Sequence, residues 1–175
     1  MSNALQTNDA AREHFEQGVQ AYASGALEDS LDHFTHAIGA DDSFHKAYMS
    51  RGAALLRLKR PGDARADFDR ALDLEPDNSR THHLRGLSHA QQGHDDQALT
   101  DFNRAIELDP EYGAAYHSRS TIQNRLGNNE AAMEDIQTYT HLTEKQVQEF
   151  SDEHNIWRSR QLHLEAENIA DVMNR

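Results

Sequence analysis

The sequence predicts an all-α fold, an α-solenoid of four helix-turn-helix repeats with a C-terminal capping helix or helix pair. Three observations carry this expectation. Only three prolines and nine glycines occur in 175 residues, alanine is abundant and β-branched residues are few, a composition that favours helix throughout. Gly18, Gly52 and Gly86 recur at intervals of 34 residues with Ser120 next in register, and Phe34, Phe68, Phe102 and Ile136 keep the same period. Pro76 and Pro110 share one place in that register, where proline blocks continuation of a helix, and Asp42 holds it in the first copy.

The elements follow in order. Residues 1–10 are expected to form a flexible lead. The repeat region spans residues 11–142, its copies in register at 11–44, 45–78, 79–112 and 113–146, and residues 143–175 form a helical cap and extension. Within a copy the small residue, such as Gly52, lets two helices approach, Ala64 and Ala71 do the same on the second helix, and Phe68 fills the space between them. One helix pair cannot bury its apolar face alone, so neighbours stack. The copies also act as replicates of one another: Arg51 accompanies Asp67, Arg85 accompanies Asp101 and Arg119 accompanies Asp135, whereas the first copy has Gln17 and His33. An ion pair between the two helices of each later copy is expected, with the arginine stem lying on apolar surface.

Thr143 and Gln146 have capping-box spacing and are expected to open the last helical segment. Phe150, His154 and Trp157 share one helical face, and Leu162, Ala166, Ile169 and Met173 form a second stripe rotated from the first. The first stripe is expected to cap the fourth copy. The second either folds back onto it or, through Leu162, Ile169 and Met173, joins a second chain in a homodimer.

The second copy, with Tyr48, Gly52, Ala64, Phe68, Ala71 and Pro76 in order, resembles the tetratricopeptide repeat family, and the resemblance covers roughly four fifths of the chain. His14 and His82 depart from it where an aromatic is common, and the fourth copy departs at Ser120, Ile136 and Tyr139. The resemblance implies a concave face lined by the first helix of each copy that receives a peptide. Carried over place by place, that groove holds Arg12, Phe15, Val19 and Tyr22 from the first copy, and Lys46, Met49, Ala53 and Arg57 from the second. The third supplies Arg80, His83 and Leu87, and the fourth supplies His117 and Arg125. One branch of the family grips acidic chaperone tails with a five-residue carboxylate clamp. Those places here hold Phe15, Val19, Ser50, Arg80 and Leu84, of which only Arg80 keeps the charge.

Lys+Arg 17 against Asp+Glu 30 gives a net charge of −13, which repels a phosphate backbone, so nucleic acid is not an expected partner. With a mean hydropathy of −0.89, no stretch has the apolar length of a membrane span, and no membrane partner is expected. Met1 to Ala10 lack the basic start and apolar run of a secretory signal, so cytoplasmic residence is expected. The chain has no cysteine, which excludes disulfides and thiolate sites. It also has no HExxH, GxxxxGK[ST] or GxSxG motif, so neither a cofactor nor enzymatic activity is expected. His82 and His89 lie on one helical face, but their register puts them in packing positions and no metal is expected there. Asp73, Glu75 and Asp77 lack the glycine and distant glutamate of a calcium loop. The expected function is a non-catalytic adaptor or scaffold that binds an acidic segment with bulky apolar residues in the groove. A self-assembling structural protein or a small acidic secretion-type chaperone is the alternative.

Overall fold

The computed structural model describes residues 2–153, with side chains described from Asp9 to Asp152. Eight helices follow one another there: α1 (Ser2–Ser24), α2 (Leu27–Ala40), α3 (His45–Arg57), α4 (Pro61–Leu74), α5 (Ser79–Gln91), α6 (Asp95–Leu108), α7 (Gly113–Arg125) and α8 (Asn129–Glu153). Each helix packs on the next, and the odd-numbered helices also touch one another in sequence, α1 to α3, α3 to α5 and α5 to α7. Even-numbered helices make no such contacts among the described residues. The odd helices are therefore crowded on the inside of the curve and the even ones splay on the outside, which makes the array an all-α solenoid with a concave face.

The repeated glycines and phenylalanines explain the close helix pairs. A Cβ on Gly18 would lie 2.6 Å from the Phe34 ring, one on Gly52 2.5 Å from Phe68, and one on Gly86 2.6 Å from Phe102. The three rings are fully buried, and truncating a phenylalanine in such a site costs about 3–5 kcal/mol. Between paired helices the chain turns through a residue in the left-handed region: Gly25, Gly93 and Gly127 have φ of 86°, 74° and 84°, and Lys59 takes 60° at the same register. Between repeats the even helices end at Asp41, Glu75 and Asp109, of which Asp41 and Asp109 are extended.

The expected ion pairs are all formed, and each arginine does more than bridge its own pair. Arg51 donates from Nε to Asp67 Oδ2 at 2.9 Å and from Nη2 to Oδ1 at 2.7 Å. Arg85 reaches Asp101 at 3.0 and 2.7 Å, and Arg119 reaches Asp135 at 2.9 and 2.6 Å. The free Nη1 of each then reaches the even helix of the preceding repeat: Thr35 at 3.1 Å, Asp69 at 2.9 Å and Asn103 at 2.7 Å. One guanidinium thus ties three helices. The aspartates are buried, so loss of an arginine would leave a carboxylate uncompensated. In the first copy, where Gln17 and His33 stand, His14 instead stacks on His36 with centroids 5.2 Å apart.

Two boundaries differ from the sequence expectation. Helix α1 starts at Ser2, so residues 2–10 continue the first repeat's helix where a flexible lead was expected. Their Ala4, Leu5, Gln6 and Ala10 are good helix formers, and no breaker separates them from the repeat. Helix α8 runs unbroken through Thr143, whose hydroxyl donates to the Tyr139 carbonyl at 2.8 Å as a mid-helix residue. The register that holds Pro76 and Pro110 holds Glu144 here, and without a breaker the capping-box pattern stays inside the helix. Lys145 on this extension pairs with Glu111 in the turn before α7. His154, Trp157, Leu162, Ile169 and Met173 lie outside the described residues.

Candidate peptide-binding groove

The odd helices α1, α3 and α5 bring inner residues together around one cavity. It has a volume of about 280 Å3 and is lined by Val19, Tyr22, Phe34, Met49, Ser50, Ala53, Arg80 and Leu84. Its volume suits one bulky side chain. Phe34 contributes because its ring, packed under Gly18, also faces the inner side. Val19, Tyr22, Met49, Ala53 and Arg80, which their register puts on the inner face, line this one cavity. Ser50, Leu84 and Phe34 were not foreseen as its walls. Ser50 and Leu84 share one register place, so the repeat itself carried the signal that they line one surface.

Among the described residues, Arg80 supplies the only formal charge lining this cavity. Arg12 and Lys46 occupy its register on α1 and α3, all three are exposed, and none pairs with a carboxylate among the described residues. They form a basic ladder of one rung in each of the first three repeats along an otherwise acidic molecule, the fourth having Ala114 at that place. Arg57 borders the same region differently: its Nη1 donates to the Tyr22 carbonyl at 3.1 Å and its guanidinium lies over the Tyr22 ring at 4.7 Å. It fixes the wall of the cavity instead of presenting a free charge.

Other expected groove residues are used for packing. Phe15 lies 5.7 Å from the Phe34 ring and 5.0 Å from Phe44, packed between α2 and the turn before α3. Leu87 packs between the core clusters around Phe68 and Phe102. His83 is buried, contrary to the expectation that it faces a ligand: Nε2 is 2.9 Å from the Ser118 hydroxyl and Nδ1 is 3.1 Å from the Tyr112 hydroxyl. Burial, assisted by the charge of Arg80, lowers its pKa to about 4. Tyr112 is pushed up by burial, with Arg80 opposing the shift. His117 stays exposed with its ring 5.2 Å from Tyr139, on the α7–α8 side and away from the cavity. Arg125 is not the unneutralised groove charge that its register implied, because Asp95 of α6 pairs with it, accepting from Nε at 2.9 Å. No register argument links those two positions.

His82 and His89 flank Asp101 as packing residues. His82 places Nδ1 3.4 Å from Asp101 Oδ1 and Nε2 2.9 Å from the Pro76 carbonyl, and His89 Nε2 is 3.8 Å from Oδ2. Burial by itself would raise the Asp101 carboxyl, but hydrogen bonds from His82 and Arg85 outweigh it and hold the pKa below the usual value. Among the described residues no group of three histidine or acidic side chains is arranged to hold a metal ion, and no helix is long and apolar enough to cross a membrane.

Residues 45–78 and 79–112 each match the tetratricopeptide repeat family model. These are the two interior repeats that line most of the cavity, and over them the chain is built of tetratricopeptide repeats. Its similarity to known proteins follows the repeats. It is 32% identical over 77 residues to the Hsp70-Hsp90 organizing protein of Triticum aestivum, covering 44% of this chain and only 13% of that protein. The first tetratricopeptide domain of Spaghetti (RPAP3), solved bound to the HSP90 peptide SRMEEVD, superposes with a TM-score of 0.67 at 23% identity. That superposition covers 69% of this chain and 95% of the other. MamA from Desulfovibrio magneticus RS-1 superposes with a TM-score of 0.71 at 18% identity, over 78% of this chain and 77% of that one. At these identities the structural likeness establishes the fold.

Proposed function

We propose that this protein is a non-catalytic adaptor whose concave groove binds a protein segment carrying a bulky apolar side chain beside acidic residues. The observation that carries this reading is the juxtaposition of the apolar cavity of Val19, Tyr22, Met49, Ala53 and Leu84 with Arg80 at its edge and Lys46 and Arg12 in line beyond it. An apolar side chain seated in the cavity supplies affinity, and the ladder steers and orients the acidic flank. The peptide SRMEEVD held by the Spaghetti domain has this chemistry, methionine beside two glutamates, which supports the class of client. Four of the five carboxylate-clamp places differ here, and Ser50 and Leu84 form cavity wall. The mode of grip is therefore the anchor pocket and not a clamp on a terminal carboxylate.

Charge reversal at two rungs tests it. Lys46→Glu with Arg80→Glu should weaken capture of an acidic, leucine-containing peptide by at least about tenfold and flatten its salt dependence. Because both side chains are exposed, the melting temperature should hardly move. Unchanged capture by this variant, or preference of the native chain for a basic peptide, would refute the proposal.

A further inference from the structure

The first and third repeats hold the same arrangement of rings with different chemistry. In the first, the Phe15 ring lies 5.7 Å from Phe34 and 5.0 Å from Phe44. In the third, His83 lies 5.6 Å from Phe102 and 5.1 Å from Tyr112. His83 and Tyr112 occupy the places of Phe15 and Phe44 two repeats on. Two hydrocarbon rings therefore suffice to pack this junction, whereas a buried imidazole beside a phenol needs hydrogen-bond partners as well.

Those hydrogen bonds run in one direction. His83 Nε2 is 2.9 Å from the Ser118 hydroxyl, and the ring also bonds the Ala114 backbone one turn earlier on α7. A carbonyl only accepts, so the ring proton belongs on Nε2. Nδ1 is then the acceptor of the 3.1 Å contact, and the Tyr112 hydroxyl donates to it. With its proton committed, the Tyr112 oxygen offers only lone pairs. The Arg80 guanidinium stands within hydrogen-bonding reach of that oxygen, and Arg80 also lines the cavity. Burial keeps His83 neutral, its pKa lowered to about 4, so Nδ1 stays an acceptor at neutral pH. The other rungs lack this support. The place of Tyr112 holds Phe44 in the repeat of Arg12 and Asn78 in that of Lys46, and Asn78 is engaged in capping α5 through the Thr81 N–H.

We propose that Tyr112 is a positioning residue of the groove: its oxygen, fixed by the bond to His83, accepts from Arg80 and holds that guanidinium at the mouth of the cavity, where it pairs with an acidic residue adjoining the seated apolar side chain. That role rests on the adaptor function proposed above and refines it. Arg80 becomes the rung that reads the acid next to the anchor, with donors to spare beyond the one given to Tyr112. Lys46 and Arg12 act at longer range through charge alone.

His83→Phe with Tyr112→Phe reproduces the ring pair of the first repeat, removes the hydrogen-bond chain and leaves no buried nitrogen unpaired. Calorimetry on the full-length protein compares a peptide bearing one leucine flanked by glutamates with its glutamine counterpart. The native chain should prefer the glutamate peptide. The double variant should cut that preference at least about fivefold and bind the glutamine peptide as the native chain does, because only the preorganisation of Arg80 is lost. Tyr112→Phe alone should act in the same direction. Arg80→Gln should cut the preference too, and adding the phenylalanine pair to it should change nothing further. An unchanged preference in both tyrosine variants, equal weakening of the two peptides as a merely structural role would give, or a further drop on top of Arg80→Gln would overturn the proposal. A native chain with no preference for glutamate would overturn the adaptor reading itself, and this role with it.

Discussion

Lys59 holds the left-handed conformation, φ 60°, at the register where Gly25, Gly93 and Gly127 hold it without a Cβ. Replacing it with glycine removes that strain but loosens the unfolded chain, so Lys59→Gly should stabilise by a net of about 0.5–1 kcal/mol in thermal or denaturant unfolding. His83 acts in the opposite direction as pH falls. Its folded pKa of about 4 lies below the usual 6.5, so above pH 6.5 it costs nothing. Between 6.5 and 4 the unfolded chain takes up a proton that the folded chain refuses, and stability declines, by up to roughly 3 kcal/mol at the lower limit. Melting curves from pH 7 to pH 4 should fall less steeply in His83→Met, which places there the residue that Met49 supplies one repeat earlier. The glycine–phenylalanine contacts and the arginine–aspartate pairs were legible because each recurs at one register. The burial of His83 was not, because Ser118 comes from the next repeat and Tyr112 from the turn that leads into it. Arg125 was misjudged for the same reason, its partner Asp95 standing outside any repeated pair.

At the scale of elements, helix boundaries depended on breakers more than on capping patterns. Three inter-repeat turns were placed by Asp42, Pro76 and Pro110, while Thr143 and Gln146 have the spacing of a cap but lie within α8. A side chain that satisfies capping geometry does not end the preceding helix, and at Glu144 nothing does. Introducing proline there, as the second and third repeats have it, removes a backbone donor and clashes with the preceding turn, at about 3 kcal/mol or more for a continuous helix. Glu144→Pro should therefore lower helical circular dichroism by the share of the α8 extension and leave the cooperative melting of the repeats nearly unchanged. A global loss of stability would mean that the extension supports the whole array.

For the whole molecule, the repeat period fixed the solenoid and hence which helices face inward, and this made five walls of the cavity legible before the fold was seen. The cavity's depth was not legible, because it comes from how α1, α3 and α5 converge around Phe34. A chain of net charge −13 whose Arg12, Lys46 and Arg80 stand along one concave line with no carboxylate partner among the described residues would offer acidic segments an attractive path on a repelling surface. The most direct test is an amide chemical-shift titration with a short peptide bearing one leucine flanked by glutamates, and with its lysine-for-glutamate counterpart. The acidic peptide should shift Val19, Tyr22, Met49, Ala53, Arg80 and Leu84 and leave α2, α4 and α6 quiet apart from Phe34, whereas the basic one should shift none of them. Shifts spread over the outer helices, or the same inner residues responding equally to the basic peptide, would contradict the account.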